Sequence, residues 1–181
     1  MKKLLMIVTV TLLFVSAEAQ FTKATLQATG LTCALCSNAI NKALQKVSFV
    51  ESVKSDIKNS AFAVVFRQNA EVDIDALKNA VEDAGFSVGS LKLTGTFKEV
   101  KIANDQHIQI GYKEFHFLNV SPQTLNGEKI ITIVDKNFVT AKEFKKISEL
   151  TRMSCLQTGK AASCCVKDGV SAGTRIYHVT I

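Results

Sequence analysis

Two cysteines three positions apart, set where one backbone period gives way to another, constrain this chain more than any other feature in it. The stretch is Gly30-Leu31-Thr32-Cys33-Ala34-Leu35-Cys36. Before it, Phe21, Ala24, Leu26 and Ala28 alternate loosely and end at Gly30, which reads as a strand running into a turn. After it, Ile40, Leu44 and Val47, with Ala39 and Ala43 beside them, form an amphipathic helical stripe that leaves Lys42 and Lys46 outside. Thr32 is placed to cap that helix. Two sulfurs so spaced can face one ion from a single turn of backbone, and thiolates select soft ions over Mg(II) or Ca(II).

The pattern that follows builds a frame around this turn. Val50, Val53 and Ile57 predict a second strand, Lys58-Asn59-Ser60 a turn, and Val64, Val65 and Phe66 a third strand that completes a hairpin. Asp73 and Asp75 mark a helix start, where carboxylates meet the positive end of the dipole. Ile74, Leu77, Val81 and Ala84 carry its apolar stripe, and Gly85 ends it. Phe86, Val88, Leu91 and Leu93 predict a last strand. The order β-α-β-β-α-β is an α+β fold, the ferredoxin-like sandwich of four antiparallel strands and two helices.

Residues 21–93 resemble the heavy-metal-associated (HMA) domain, the module of copper chaperones, metal-exporting ATPases and the periplasmic mercury-binding protein. The family's pattern is Gly-Met-Thr-Cys-x-x-Cys with an apolar residue four positions after the second Cys. This chain matches it with Gly30 to Cys36 and Ile40, and Glu82-Asp83-Ala84-Gly85-Phe86 is similar to the family's second loop. Leu31 departs from the family's Met, a buried support and not a ligand, so the swap conserves volume and apolarity. The resemblance implies that Cys33 and Cys36 are the metal ligands and that Phe86 shields them on one side.

The residues themselves favour the same chemistry. Cys36 falls in a first helical turn, where unpaired N–H groups and the dipole favour a thiolate. Two thiolates suit the near-linear coordination of Cu(I), Hg(II) and Ag(I), and Cd(II) accepts them too, whereas zinc prefers four ligands. Cu(I) is the first expectation. A thiol–disulfide oxidoreductase working through Cys33 and Cys36 is the alternative, although the residue immediately before Cys33 is Thr32, not an aromatic, and the only proline is Pro122. A disulfide formed on export between the same two residues is the bland reading.

The first nineteen residues read as a secretory leader: Lys2 and Lys3, an apolar run over 4–15, then Ala17-Glu18-Ala19. The run is too short to span a bilayer. Export to a periplasm or beyond is therefore expected. The formal charge is +6, of which the leader contributes a net +1, leaving +5. Lysines interleave with acidic residues instead of clustering, which argues against nucleic acid as a partner. An odd total of 5 cysteines in an oxidising compartment leaves at least one thiol unpaired, metal-bound or intermolecular.

The remainder, 94–181, is expected to be a separate, smaller β-rich domain. Phe97, Val100 and Ile102 predict one strand after a break at Thr94-Gly95-Thr96, and residues 107–117 another alternating run. Asn126-Gly127 reads as a hairpin turn before the β-branched run at 130–134. Thr140 caps a helix over 141–150, residues 151–172 are irregular, and 175–181 close the domain. That order suggests a small OB-like barrel. Cys155, Cys164 and Cys165 have two readings: a structural disulfide joining Cys155 to one of the other two, or a second soft-metal site that His178 could join. His107 and His116, nine positions apart, are assigned no role. No catalytic motif is present, so the chain is expected not to be an enzyme. It is read as an exported carrier of a soft ion, with a metal-exporting membrane protein or another metallochaperone as partner; a further reading is an interaction module whose C-terminal half docks a membrane exporter while the N-terminal unit carries the cargo.

Overall fold

A computed structural model describes residues 19–31 and 34–181. The expected leader over 1–18, the expected cap Thr32 and the expected ligand Cys33 lie outside the described residues.

The N-terminal frame follows the sequence pattern. The elements are β1 (Ala19–Thr29), α1 (Ala34–Gln45), β2 (Val50–Asp56), β3 (Ala61–Phe66), α2 (Ile74–Asp83) and β4 (Ser87–Ile102). Their strands line up β2-β3-β1-β4, the ferredoxin-like order, and every pairing among them is antiparallel. The loose alternation in β1 has a cause: the register against β4 shifts between Phe21 and Lys23, so Phe21, Ala24, Leu26 and Ala28 all reach the core despite the odd step. Ile40 and Leu44 of α1 and Ile74, Leu77 and Val81 of α2 are buried as their stripes require. The Asp73 carboxylate accepts the Ala76 N–H at 3.2 Å and caps α2. At its other end Gly85 N–H donates to the Glu82 carbonyl at 2.8 Å and Phe86 N–H to that of Val81 at 3.1 Å, with Gly85 at φ +86°. That is a Schellman closure, which needs a residue tolerant of positive φ and which delivers Phe86 to the start of β4.

The second half is not the separate barrel expected. β4 is a single strand of 16 residues that runs through 93–94 without a break. Its N-terminal part pairs with β1, and β7 (Gln123–Ile133) pairs along its other edge from Leu91 to Ile102. β5 (Gln106–Ile110), β6 (Lys113–Phe117) and β8 (Ile176–Thr180) complete one open eight-stranded sheet, ordered β2-β3-β1-β4-β7-β8-β6-β5 among the described residues. Gly95 does not interrupt β4, because the Phe21 ring lies over it: a Cβ there would sit 2.9 Å from Phe21 Cδ1 and 3.1 Å from the Gln20 carbonyl oxygen.

Asn126-Gly127 is not a hairpin turn either. It lies within β7, where Lys98 and Glu99 oppose Asn126 in a bulge, and both Glu99 (φ +50°) and Gly127 (φ +72°) are left-handed. The bulge uses the same conformational freedom a hairpin turn would. The run over 107–117 divides at Gly111 into the β5–β6 hairpin. One apolar core extends across both halves, with Phe21 against Phe97 (ring centroids 6.2 Å) and Phe115 (5.9 Å), and Phe115 against Tyr177 (5.8 Å).

Three short helices follow β7: α3 (Ala141–Ile147), α4 (Cys155–Thr158) and α5 (Ser163–Val166). Thr140 caps α3 in a reciprocal box with Glu143. That helix stops before the expected 150 and buries no residue completely; Phe144 and Ile147 pack on a small cluster of Leu118, Val134 and Leu156. The segment carrying α4 and α5 is tied back to β8 by Ala161 N–H to the Thr174 carbonyl (2.8 Å), Gly173 N–H to that of Ala161 (2.9 Å) and Ile176 N–H to that of Gly159 (2.9 Å).

Candidate functional site

Two places in the fold carry side chains of the types that bind metal ions. The first is the turn between β1 and α1. Gly30 leaves β1 at φ +81°, α1 starts at Ala34, and Cys36 stands in its first turn, half-buried. The neighbouring Leu35 is 80% exposed, so this corner faces solvent. Leu31 and Phe86 are half-buried and pack on the core from either side of the turn. Register brings them together: Thr29 pairs with Ser87, and the Thr29 hydroxyl donates to the Ser87 carbonyl at 3.3 Å. The loop that ends α2 is thus anchored beside the loop that begins α1.

The second place was only partly visible in the sequence. His107 pairs directly with His116 across β5–β6, and His116 pairs with His178 across β6–β8. Directly paired residues share a sheet face, so the chain's 3 histidines form a row across three adjacent strands. His107 and His116 stack with ring centroids 4.3 Å apart, and His116 meets His178 edge-on at 5.0 Å. Cys155, at the start of α4, is buried against this row. Its Sγ lies 3.4 Å from His178 Nε2, 3.8 Å from His107 Nε2 and 3.8 Å from His116 Nδ1.

Each imidazole has an aspartate at its other nitrogen. Asp168 is 2.7 Å from His107 Nδ1, Asp105 is 2.9 Å from His116 Nε2, and Asp135 is 2.5 Å from His178 Nδ1. Asp105 also accepts the Thr151 hydroxyl at 2.8 Å, and Asp135 is ion-paired to Arg175 at 2.8 Å. Burial, and then the neighbouring His178 and His107, push the His116 imidazole down to about 4, so it is neutral near pH 7.

The expected disulfide is not formed: Cys155, Cys164 and Cys165 are unbridged thiols. Their sulfurs nonetheless lie within 4.8 Å of one another, with Cys164 Sγ and Cys165 Sγ 3.5 Å apart. Burial raises the Cys155 and Cys165 thiols. Burial acts on Cys164 in the same sense, but hydrogen bonds from Ser154 and Cys165 outweigh it and bring that half-exposed thiol down to about 7. His107 and His116 were missed because an odd separation of nine on one strand puts side chains on opposite faces. Gly111 was the available signal, since a turn there folds the run back on itself and brings the two together.

Comparison with known proteins bears on the first place alone. The heavy-metal-associated domain family matches residues 25–87. "Copper chaperone CopZ" of Staphylococcus haemolyticus is 34% identical over 59 residues, covering 33% of this chain and 85% of the relative. "Probable copper-transporting ATPase HMA5" of Arabidopsis thaliana is 27% identical over 70 residues, 39% of this chain and 7% of that protein, so the chain spans a small fraction of the ATPase. Among solved structures, oxidised MerP from Ralstonia metallidurans CH34 is 32% identical over 39% of this chain and 96% of its own, at a TM-score of 0.34.

Proposed function

This chain belongs to the heavy-metal-associated domain family, and from that premise we propose that it is an exported carrier that binds Cu(I) through the thiolates of Cys33 and Cys36 and passes it to a second protein. One observation carries the reading: Cys36 sits in the first turn of α1 on a ferredoxin-like frame, at a solvent-facing corner flanked by Leu31 and the Phe86 loop. A thiolate there is stabilised by the helix terminus. A second sulfur three positions earlier completes a pair able to hold a soft, two-coordinate ion. Low coordination at an exposed corner suits transfer, because an incoming thiolate can attack before either protein sulfur leaves. Hg(II), Ag(I) and Cd(II) are competing ions of the same class, and Zn(II) a weaker one.

The transfer partner would be a metal-exporting membrane protein or another metallochaperone. The relatives named as copper chaperones and a copper-transporting ATPase favour that class. The export reading rests on the leader-like residues 1–19.

The test is a Cu(I) titration of the reduced protein against a competing chelator, read beside Cys33→Ser/Cys36→Ser. The double variant should lose one tightly held Cu(I). Unchanged uptake would remove the turn as the site. Dithiol reductase activity that depends on Cys33 and Cys36, together with no copper affinity, would favour the oxidoreductase alternative.

A further inference from the structure

The histidine row and Cys155 present a donor–acceptor imbalance that hydrogen bonds among the protein's own groups do not resolve. A carboxylate only accepts, so each imidazole donates its single N–H to its aspartate: His107 Nδ1 to Asp168, His116 Nε2 to Asp105 and His178 Nδ1 to Asp135. The remaining nitrogens, His107 Nε2, His116 Nδ1 and His178 Nε2, are then lone pairs, and all three point at Cys155 Sγ. One thiol carries one proton and can satisfy one of them. At least two lone pairs are left facing each other in a region where His116, His178 and Cys155 are wholly buried. An unmet buried acceptor is costly. Protonating the rings is no remedy, because His107 and His116 stack at 4.3 Å and would place like charges face to face.

A cation with empty orbitals removes the imbalance. We infer that His107 Nε2, His116 Nδ1, His178 Nε2 and Cys155 Sγ form a second, enclosed metal centre for a divalent ion of the Zn(II) class. The nitrogen–sulfur distances suit it. A four-coordinate ion with metal–nitrogen bonds of ~2.0–2.1 Å and a metal–sulfur bond of ~2.3 Å holds its nitrogen and sulfur ligands about 3.6 Å apart. The N···S separations here are 3.4, 3.8 and 3.8 Å. The ligand atoms of His107, His116 and Cys155 lie within 4.8 Å of one another; His178 Nε2 is close to Cys155 Sγ but stands outside that group of three, so it completes the set by an inward shift of its ring on binding.

The surroundings are those of a metal centre as well. A carboxylate behind every ligating imidazole fixes its tautomer and orientation and raises its basicity. Three carboxylates and one thiolate, offset in part by the Arg175 guanidinium on Asp135, leave a net negative environment that a dication largely neutralises. On binding, the Cys155 proton leaves to solvent and the sulfur becomes the anionic ligand. Three nitrogens and one sulfur suit a borderline ion better than the all-sulfur preference of Cu(I). Cys164 and Cys165 supply a thiol path from the surface: Cys164 is half-exposed, Cys165 is buried, and both lie within 4.8 Å of Cys155. This centre stands on residues separate from Cys33 and Cys36, and an enclosed set of four ligands suits a resident ion.

The experiment uses the full chain carrying Cys33→Ser/Cys36→Ser, reduced, stripped of metal, and titrated with Co(II) and then Zn(II). One Co(II) should bind, with the intense d–d bands of a four-coordinate ion and a thiolate charge-transfer band, and Zn(II) should bleach both. Cys155→Ala should abolish the charge-transfer band. Asp168→Asn alters a side chain that is 40% exposed and leaves every ligand in place; it should weaken Co(II) binding by about ten- to a hundredfold with the fold intact by circular dichroism. Cys164→Ser/Cys165→Ser should keep the single-thiolate spectrum. The inference is overturned if the parent protein takes up no Co(II) or Zn(II), if Cys155→Ala keeps the charge-transfer band, or if Cys164→Ser/Cys165→Ser removes binding. A failure at this centre leaves the Cu(I) titration at Cys33 and Cys36 to stand or fall by itself.

Discussion

Asp75 in the first turn of α2 and Arg175 beside β8, 100 positions apart in the chain, meet through two hydrogen bonds, Arg175 Nε to Oδ2 at 2.9 Å and Nη2 to Oδ1 at 3.1 Å. The Tyr177 hydroxyl donates to the same carboxylate at 3.0 Å. This contact ties the half that carries the β1–α1 turn to the histidine-row half. Burial raises the Asp75 pKa, but the Arg175 and Tyr177 contacts outweigh it and hold the group below the usual carboxylate value. A folded-state pKa below the unfolded one means the stabilisation is present at neutral pH and is lost as the solution falls below about pH 4 toward the folded value. Asp75→Asn should therefore cost about 1.5–3 kcal/mol at pH 7. That deficit should shrink on acidification, as read by urea unfolding at a series of pH values. A deficit that does not change with pH would assign the loss to packing.

Phe21 joins the halves from the other side of the core, touching Phe97 and Phe115. Phe21→Ala should destabilise the protein by about 3–5 kcal/mol. Both halves should unfold in one transition, with probes placed near α1 and near β6 reporting the same midpoint. Two separated midpoints in the unaltered protein would mean that the sheet does not couple them.

Gly95→Ala tests the continuity of β4. The added Cβ would meet the Gln20 carbonyl, which is backbone and yields little, as well as the Phe21 ring. A loss of about 1–3 kcal/mol is expected in denaturant unfolding. No loss would show that the ring does not lie over the glycine.

Leu31→Met keeps an apolar side chain of similar volume at a half-buried position packed on the core. Stability should change by less than about 1.5 kcal/mol, and Cu(I) stoichiometry should stay the same. Leu31→Asp, which places a charge there, should lower the midpoint and weaken Cu(I) retention together. Uptake that survives this change undiminished would show that Leu31 gives the turn no support.

The first half of the chain was legible because its signals are local. The Ile40/Leu44 and Ile74/Leu77/Val81 stripes, the Asp73 cap and the Gly85 stop each act within a few residues, and together they specify the turn that presents Cys36. The second half was less legible because its signals were real but degenerate. Gly95 and Asn126-Gly127 mark backbone freedom, and freedom serves a break, a hairpin or a bulge equally. Pairing with β7 and cover from the Phe21 ring selected a continuous strand and a bulge.

What the amino-acid order determined unaided was the thiol turn, its frame and the presence of three more cysteines of unstated purpose. Only the tertiary structure brought His107, His116 and His178 into one row, set Cys155 over it and placed an aspartate behind each ring. The reason is physical. A helix cap or an amphipathic stripe is a short-range interaction written in neighbouring residues, whereas a ligand set drawn from three strands and a helix exists only once long-range pairing has chosen its register.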